Sequence, residues 1–517
     1  MSKRSKKDKE RIKTASRQFG NVYVRREGVI IFALCILAVC RVFLFNAAFP
    51  FFNNVDETKH FDLVWKYSRG HLPRTELENN SREAAEFIAL YATPEYLMKL
   101  EQYINSPIST PLWKHPNVTE TVLFEKTMFL LLKKMNHETG QFPFYYMVAG
   151  LWCAVGRFLG MAGGNLLYWI RFLNVPIFAL LVWFSYIVAR TFFPDKSLMR
   201  IGLPLITAFF PQDMFYSINS NTFSPLLFAI AFFLLLQLYF EDKSYLYHLL
   251  TGLVVAATFL TNASNLPVLV FMGVIITLKL KALIIKGQFK IYLFRLVTLF
   301  TATLLPVSVW LARNYLVFDD LSGASRKVEY LGWTLKPLIK MWDHPILTLN
   351  GLFYFLTTLT KTFWRGEFVW HLEPIVSQGT DLLYVVSTAA FIITSCLGLF
   401  LRRAKIDQRQ QCVLNMSLFL LVISVLFLAV LSMLYDFGTC RYPSQKLPYF
   451  VSGRLISGML LPFLLLYLNG LGRICAKFRN PIIPIVVVSL IAISITYSEL
   501  SITSKVFRSQ FNWFHIF

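Results

Sequence analysis

Charged residues are scarce in this chain. Only 15% of its 517 residues are Asp, Glu, Lys or Arg, whereas 56% are hydrophobic; soluble domains carry roughly 25% charged residues. This composition excludes a soluble protein with an ordinary polar surface. Apolar runs of the length that crosses a bilayer recur along most of the chain. The sequence therefore predicts an all-α polytopic membrane protein.

Acidic residues are the scarcer charge. The chain has 29 Asp and Glu against 51 Lys and Arg, a formal net charge of +22. In a soluble protein this excess would indicate a nucleic-acid partner. Here the basic residues cluster between apolar runs, which is typical of cytoplasmic loops in membrane proteins. We therefore expect an integral, multi-pass protein that contacts membrane lipids and binds no nucleic acid.

Motifs of several enzyme classes are missing. The seven cysteines include no Cys-x-x-Cys pair, so a disulfide framework or a zinc ribbon is not indicated. There is no P-loop, no Gly-x-Gly-x-x-Gly before a strand, no His-Glu-x-x-His and no Gly-x-Ser-x-Gly. These absences argue against a nucleotide-linked donor in the cytoplasm. His115 and His137 are isolated loop histidines, which usually bind no metal.

The apolar runs predict about 11 to 13 transmembrane helices. They occupy 29–48, 142–162, 165–190, 199–219, 222–240, 247–264, 266–283, 291–312, 346–363, 380–401, 412–434, 454–472 and 481–500. The first run is long for a signal peptide, so we interpret it as an uncleaved helix. Residues 1–27 form a basic tail, expected to be cytoplasmic and disordered, and residues 501–517 form a C-terminal tail.

Lysine and arginine clusters predict the orientation of the helices. Cytoplasmic clusters leave three larger segments on the outer face, at 49–141, 315–345 and 435–453. One contradiction arises because Arg190, Lys196 and Arg200 also look cytoplasmic, although two apolar runs separate them from the first outer segment. Either one of the runs 142–162 and 165–190 does not cross, or the charge signal misleads there.

The first outer segment has the clearest candidate site. It holds 12 of the 29 acidic residues, and its apolar patches predict helices lying at the membrane surface. Asp56, Glu57, His60 and Asp62 follow the first helix within a few residues. The first two could act as a general base, and the set could hold a divalent metal. The alternative is a solvated helix start, capped by asparagine, with acids in its first turn.

Several segments of the chain have a recognisable pattern. They are Phe49-Pro-Phe-Phe-Asn-Asn-Val-Asp-Glu-Thr-Lys-His-Phe-Asp-Leu63, Arg69-Gly-His-Leu-Pro73, Gln141-Phe-Pro-Phe-Tyr-Tyr146, Tyr168-Trp-Ile-Arg-Phe-Leu-Asn174, Phe210-Pro to Ser220-Asn221, Trp364-Arg-Gly-Glu-Phe-Val-Trp370 and Tyr449-Phe-Val-Ser-Gly-Arg454. Together they resemble the GT-C glycosyltransferases, and a poorly characterised bacterial GT-C family with a Pro-Asp-Glu-x-x-His-Phe motif most of all. More distantly they are similar to aminoarabinose transferases and protein O-mannosyltransferases. Departures are Val55 for proline, Gln141-Phe142 for His-Pro, Thr222 for an acid, and Asn262 for a frequent lysine.

The resemblance implies a GT-C-like helical bundle spanning 28–500 and an inverting transfer of a sugar on the extracytoplasmic side. The donor would be a polyprenyl-phosphate sugar, and the acceptor a lipid, a glycan or a protein. It implies Asp56 as the catalytic base or as the residue that positions the acceptor, supported by Glu57. The resemblance gives no definite cofactor, and the residues themselves offer one candidate, a divalent metal at this pair. It also favours a bacterial inner membrane with a cytoplasmic N-terminus.

A phosphate leaving group needs cations at the outer face. Candidates for substrate binding, from charge or from the resemblance, are His60, Arg171, Asn221, Arg365, Arg441, Lys446 and Arg454. For the cations the alternative is a side chain that extends to the membrane interface, or a structural partner in the case of Arg171. Alternative functions are a transporter or flippase for a lipid-linked glycan, or a membrane scaffold without catalysis.

Overall fold

The computed structural model describes residues 27–53, 56–105, 111–114, 118–285, 289–401, 407–440, 442–478, 480 and 482–516. Most of the predicted tail 1–27, together with His115 and Arg441, lies outside the described residues. Within them the chain is almost entirely helical, with only three two-stranded ribbons. The prediction of an all-α polytopic membrane protein is confirmed.

The helices follow one another with short connections outside the outer segments. They are α1 Glu27–Ala48, α2 Glu57–Ser68, α3 Arg82–Tyr91, α4 Pro94–Leu97, α5 Leu100–Ile104, α6 Val118–Lys133, α7 Phe144–Phe158, α8 Gly163–Phe172, α9 Asn174–Phe192, α10 Ser197–Ala208, α11 Ser224–Phe240, α12 Tyr245–Phe259, α13 Pro267–Ile285, α14 Phe289–Phe318, α15 Ser325–Tyr330, α16 Leu349–Arg365, α17 Gln378–Phe400, α18 Gln408–Leu434, α19 Leu460–Cys475 and α20 Ile482–Phe507.

Short antiparallel ribbons tie the outer segments together. β1 Glu78–Asn79 pairs with β2 Met135–Asn136, β3 Thr334–Leu335 with β6 Tyr435–Asp436, and β4 Val369–Trp370 with β5 Glu373–Pro374. Single 3-10 turns connect several helices at the same end of the bundle, at Asp213–Tyr216, Ser220–Phe223, Ala263–Asn265 and Gly453–Met459. The ribbons and turns give that end a folded outer layer.

Nine stretches of the described chain are helical, apolar and long enough to cross a membrane. Two shorter apolar helices, α10 and α12, accompany them. Nine plus two gives eleven crossings, within the predicted range of 11 to 13. The helix α19 lies in the centre of the bundle, because it contacts α10, α11, α17, α18 and α20.

Ion pairs identify one end of the bundle. Arg200 Nη2 lies 2.7 Å from Glu27 Oε1 at the start of α1. Arg409 Nη2 at the start of α18 lies 3.0 Å from Glu241 Oε1 after α11. We call this the basic end, since the predicted cytoplasmic clusters fall there, and the opposite end the site end.

The helices α7 and α8 remove the contradiction in the predicted orientation. The helix α7, with 15 residues, is not among the apolar helices that could cross a membrane. It packs along α2, and Trp152 of α7 stacks on Trp169 of α8 at 4.3 Å. Because α8 ends beside the first outer segment, only α9 leads to the basic end. One crossing therefore separates that segment from Arg200.

The predicted span 346–363 does not cross either. The run 346–363 forms α16, which is not among the apolar helices that could cross the membrane. Near its two ends it meets the same segment: a Cβ at Gly351 would lie 2.9 Å from the Tyr449 hydroxyl, and Thr362 Oγ1 donates to the Val451 carbonyl. We therefore assign α16 to the outer layer at the site end.

Candidate functional site

Asp56 stands immediately before α2 in a left-handed backbone conformation, with φ of 59°. For a residue other than glycine this conformation costs of order 1–3 kcal/mol and is frequent at functional sites. Its carboxylate makes no capping hydrogen bond to α2, and the side chain is 39% exposed. The simple helix-cap interpretation therefore does not describe this acid.

The cation that contacts Asp56 is the guanidinium of Arg454, which lies far from Asp56 in the sequence. Its Nη2 atom donates to Asp56 Oδ2 at 3.3 Å. The preceding Gly453 fixes this placement: a Cβ there would fall 2.1 Å from the Phe363 backbone, while its N–H donates to Thr362 Oγ1 at 3.1 Å. A glycine is thus required for the turn Gly453–Met459 to reach α16.

The remaining guanidinium atoms of Arg454 are poorly satisfied. Nε and Nη1 are buried and have no hydrogen-bond partner among the described residues. Leaving a buried charged donor unpaired costs more than a neutral one. Each of these donors shares an edge of the guanidinium with Nη2, so an anionic ligand can accept from one of them and from Nη2 at once.

Two further acids, Asp213 and Glu367, lie near Arg454. The Glu367 N–H donates to Asp213 Oδ2 at 2.5 Å, and Ser452 donates to the Glu367 carboxylate. Gly366, at φ of 80°, makes this approach possible, because a Cβ there would lie 1.9 Å from Asp213 Cγ. These contacts therefore fix the turn Asp213–Tyr216 against the end of α16, beside the Arg454 guanidinium.

The carboxyl group of Asp213 lies between α10 and α11, outside the membrane-spanning helices. Burial raises the pKa of this group to about 7, and the neighbouring Glu367 carboxylate also raises it, while the Glu367 N–H and the Arg454 guanidinium lower it. Asp213 therefore changes charge near neutral pH, and that change occurs within the field of Arg454.

His137 lies on the other side of Asp56. Its Nε2 atom is 3.8 Å from Asp56 Oδ1 and 3.4 Å from Glu138 Oε1. Glu138 in turn pairs with Lys327 Nζ at 2.5 Å. Burial opposes ionisation of Glu138, but Lys327 and His137 lower its pKa to about 2. Asp56 thus lies between Arg454 and an imidazole held by an ionised carboxylate.

Glu57 and Arg171 form a closed ion pair instead of contributing to this site. Arg171 Nη2 lies 2.7 Å from Glu57 Oε1, and neither side chain is exposed. The carboxylate also accepts from the N–H groups of Ile218 and Asn53, and Arg171 donates to carbonyls of the first outer segment, such as Pro50. Their predicted catalytic and substrate-binding roles are corrected to a structural one.

His60 is likewise a packing residue. Its Nδ1 atom lies 2.7 Å from the Tyr146 hydroxyl, and burial lowers its pKa to about 4. It is therefore neutral at physiological pH and joins α2 to α7. Asp62 accepts from the Ser81 N–H and from Asn136 Nδ2, so it also organises the first outer segment.

Asn221 belongs to an amide network beside the site. Its Nδ2 donates to Asn219 Oδ1 at 2.9 Å, and its Oδ1 accepts from Asn262 Nδ2 at 3.1 Å. The network joins the turns Ser220–Phe223 and Ala263–Asn265. Both polar atoms of Asn221 are engaged, so we assign it to positioning the turns rather than to direct substrate contact.

Two other predicted cations, Arg365 and Lys446, lie in the described part of the chain. Arg365 makes a two-point contact with Asp381, with Nε to Oδ1 at 2.6 Å and Nη2 to Oδ2 at 3.1 Å. This pair borders a separate cavity of about 30 Å³. Lys446 is exposed in the segment before Gly453–Met459, and Arg441 lies outside the described residues.

A divalent metal at Asp56 and Glu57 does not fit the geometry of the pair. The Glu57 oxygens are occupied by Arg171 and by backbone N–H groups, so the two carboxylates cannot chelate one ion. Across the described ranges, no three His, Cys, Asp or Glu side chains form a metal-ligand group. The expected candidate cofactor is therefore not retained at that pair.

An apolar groove begins beside Arg454. It has a volume of about 380 Å³ and lies between α16, α17 and α18. Ile456, two residues after Arg454, and Phe363, which contacts Gly453, both line it. The groove is open at its side, where apolar residues such as Phe353 and Ile393 are exposed. The groove therefore has an apolar wall, an open side and one end at the turn that carries Arg454.

Sequence patterns did not predict that Asp213, Glu367 and His137 would lie at the site. The acid expected after Asn221 is absent, and Asp213 supplies one from earlier in the same connection. Glu367 lies within the Trp364–Trp370 segment that carried part of the resemblance. The sequence offered one signal for Asp213 and Glu367: an acid occurs in the connection before Asn221 and another in the Trp364–Trp370 segment.

The fold defines an all-α polytopic membrane protein. Residues 40–441 match the family described as predicted membrane protein (DUF2142), and the chain belongs to that family. The matched region includes Asp56, Asp213 and Glu367, whereas Arg454 lies beyond it. No curated protein matches the chain.

One solved structure is similar to the chain over most of its length. It is the crystal structure of the Archaeoglobus fulgidus oligosaccharyltransferase complex with zinc and sulfate, at 12% sequence identity and a TM-score of 0.43. The similarity covers 92% of this chain and 53% of that one. This chain therefore spans about half the length of that enzyme chain.

Proposed function

We propose that the protein is a glycosyltransferase that moves a sugar from a polyprenyl-phosphate carrier to an acceptor hydroxyl at the site end. The observation that carries the proposal is the pairing of Asp56 with Arg454, a guanidinium that has two further buried donors without partners. A base and a phosphate-binding cation in contact are the two groups that such a transfer requires.

Arg454 binds the donor phosphate in this mechanism. The phosphate accepts from one unpartnered nitrogen, Nε or Nη1, together with Nη2, where it displaces Asp56. Donor binding therefore releases the Asp56 carboxylate from its ion pair. The same guanidinium stabilises the polyprenyl phosphate as it leaves, because negative charge grows on the phosphate oxygens when the sugar–oxygen bond breaks.

Asp56 acts as the general base. The acceptor oxygen attacks the anomeric carbon from the face opposite the phosphate, its proton passes to the Asp56 carboxylate, and the carbon–oxygen bond to the phosphate breaks. The product has inverted anomeric configuration. His137 Nε2 lies 3.8 Å from Asp56 Oδ1, so the imidazole remains close to the carboxylate after it has left Arg454.

The groove between α16, α17 and α18 accommodates the isoprenoid chain. Its walls are almost entirely apolar, and it begins two residues from Arg454 at Ile456. Burial of isoprenoid methyl and methylene groups contributes roughly 0.8 kcal/mol for each CH2 equivalent. The arrangement lets the carrier enter sideways from the membrane while the acceptor approaches from water.

Binding of polyprenyl phosphate to the purified full-length chain tests the donor assignment. Polyprenyl phosphate should bind, whereas polyprenol, which has the same chain without phosphate, should bind at least tenfold more weakly, as expected from loss of a charged hydrogen bond worth about 1.5–3 kcal/mol. Arg454→Ala should lose this preference. The readout is native mass spectrometry with the two lipids in competition.

Lys340→Gln supplies the matched control. Lys340 is exposed on the same outer layer and forms no ion pair with any residue that the structure describes. Its substitution removes one positive charge without touching the site, so it should keep the preference for phosphate. Equal loss in both variants, or equal binding of the two lipids by the unmodified chain, contradicts the assignment.

A further inference from the structure

Arg473, near the C-terminal end of α19, is a second cation with unsatisfied donors. Its Nε and Nη2 atoms are buried and have no hydrogen-bond partner in the described part of the chain. Burial without an acidic partner is costly for a guanidinium. Among the described residues no anion satisfies these two nitrogens, which lie on one edge of the guanidinium and can be accepted by one phosphate.

The position of the guanidinium depends on Gly398 of α17. A Cβ atom at residue 398 would lie 2.1 Å from Cζ and 2.1 Å from Nη1 of Arg473. Only glycine leaves room for the planar group to lie against α17. The packing therefore holds the cation between two helices instead of letting it extend freely into water.

A lipid-sized groove begins at the residue after Gly398. Its volume is about 490 Å³, and it lies between the end of α17 and the start of α18. It is lined by Leu399, Phe400, Gln411, Asn415, Leu418, Phe419 and Val422. One edge is therefore polar, with two amide side chains, and the rest is apolar and open to the side.

This groove is distant from the candidate active site. Arg454 and Arg473 are 19 residues apart (473 minus 454) along the 3-10 turn and α19, which corresponds to roughly 30 Å of helix. Arg473 therefore lies at the basic end, where Lys196 is close enough to feel its charge. Asp195, the acid nearest in sequence to that lysine, accepts a hydrogen bond from Gln410.

We propose that Arg473 and this groove bind an anionic phospholipid from the leaflet at the basic end. The headgroup phosphate accepts from Nε and Nη2 of Arg473. The Gln411 and Asn415 amides contact the glycerol region, and an acyl chain occupies the apolar part of the groove. The net positive charge of that end favours an anionic lipid over a zwitterionic one, because charge attraction adds to the hydrogen bonds. This site is independent of sugar transfer.

Lipid retention by the full-length chain tests the proposal. The protein is placed in an equimolar mixture of phosphatidylglycerol and phosphatidylcholine, and bound lipids are counted by native mass spectrometry. The unmodified chain should retain phosphatidylglycerol preferentially. Arg473→Gln should bind it about tenfold more weakly, as expected for loss of a charged hydrogen bond.

Two additional variants distinguish specific lipid binding at Arg473 from nonspecific attraction to the positive charge of this end. Gly398→Ala keeps Arg473 but displaces its guanidinium, and it should weaken phosphatidylglycerol binding as strongly as Arg473→Gln does. Lys477→Gln removes an exposed positive charge at the same end and should leave binding within about twofold, the scale of a surface charge. Equal weakening by Lys477→Gln, or normal binding by Gly398→Ala, overturns the proposal.

Competition with inorganic phosphate identifies the source of the anion. Excess inorganic phosphate should not displace bound phosphatidylglycerol, because it gains nothing from the apolar groove. Displacement by phosphate alone would overturn the lipid assignment. Polyprenyl-phosphate binding at Arg454, measured in the same Arg473→Gln preparation, should be unchanged and confirms that the variant is folded.

Discussion

Asp56 and Glu57 are neighbours in sequence with opposite surroundings. Because α2 begins at Glu57 and successive helical residues point about 100° apart, the Glu57 carboxylate is directed inward to Arg171. Asp56, in its left-handed conformation, is directed toward Arg454. One acid therefore stabilises the outer segment while the other remains partly exposed and available for chemistry.

Glu57→Gln should destabilise the protein. The substitution leaves the Arg171 guanidinium buried without a counter-charge, and breaking a buried ion pair in this way costs about 3–5 kcal/mol. We expect a correspondingly lower midpoint of thermal unfolding. Glu86→Gln on the exposed face of α3 is the control and should unfold with the unmodified protein. A Glu57→Gln variant as stable as the control would contradict the structural role.

Asp213 should make donor binding depend on pH. Its pKa is raised to about 7, so the group is neutral below that pH and becomes negative above it. Ionisation adds a negative charge near Arg454 and repels the donor phosphate. Affinity for a polyprenyl-phosphate sugar, whose phosphodiester charge is constant over this range, should fall about fivefold as pH rises from 6 to 8.

Asp213→Asn should remove most of this dependence and retain the higher affinity at alkaline pH. Binding titrations at several pH values with both proteins provide the measurement. A variant that keeps the full pH dependence would assign the effect to Glu367 or another group near Arg454 and refute the role of Asp213.

Sequence patterns predicted two of the groups that meet at the site. Asp56 and Arg454 both followed from position beside an apolar run and from the resemblance. The same reasoning could not separate them from Glu57, His60 and Arg171, because burial depends on which helices pack together. Asp213 and Glu367 were missed for a related reason: their proximity depends on a contact between residues more than 150 positions apart.

At the scale of elements, the groove between α16, α17 and α18 is the proposed binding site of the isoprenoid chain. Ala389 lines the groove, while Ala390 is exposed beside it. Ala389→Trp should occupy part of the groove and weaken polyprenyl-phosphate binding about tenfold, the equivalent of roughly two CH2 groups at about 0.8 kcal/mol each. Ala390→Trp is the matched control for the added indole and should bind normally. Equal affinity of both variants would place the lipid elsewhere.

Helix boundaries show where apolar runs mislead. The runs 142–162 and 346–363 are hydrophobic enough to suggest spans, yet they form α7 and α16 of the outer layer. An amphipathic helix at an interface and a short span have similar average hydropathy. Only the packing of α7 on α2, and of α16 on the segment before Arg454, distinguishes the two, and neither packing is visible in local sequence.

The whole molecule is a bundle whose two ends have different chemistry. Eleven crossings from α1 to α20 put the basic end and the site end on opposite faces of the membrane. Cysteine labelling tests this arrangement in a background without the seven native cysteines. On intact cells, an impermeant maleimide should label Glu329→Cys in the outer layer and should reach Asp242→Cys at the basic end only after permeabilisation. Labelling of both from one side would refute the eleven-crossing bundle.

Sugar transfer by Asp56→Asn is the most direct test of the proposed mechanism. Purified protein is reconstituted with a panel of polyprenyl-phosphate sugars, and transfer to acceptor and donor binding are measured on the same preparation. Removal of a general base should lower transfer about 10²- to 10⁴-fold. Donor binding should be retained or tightened, because Asp56 no longer competes for Arg454. Near-normal transfer by Asp56→Asn would contradict the mechanism.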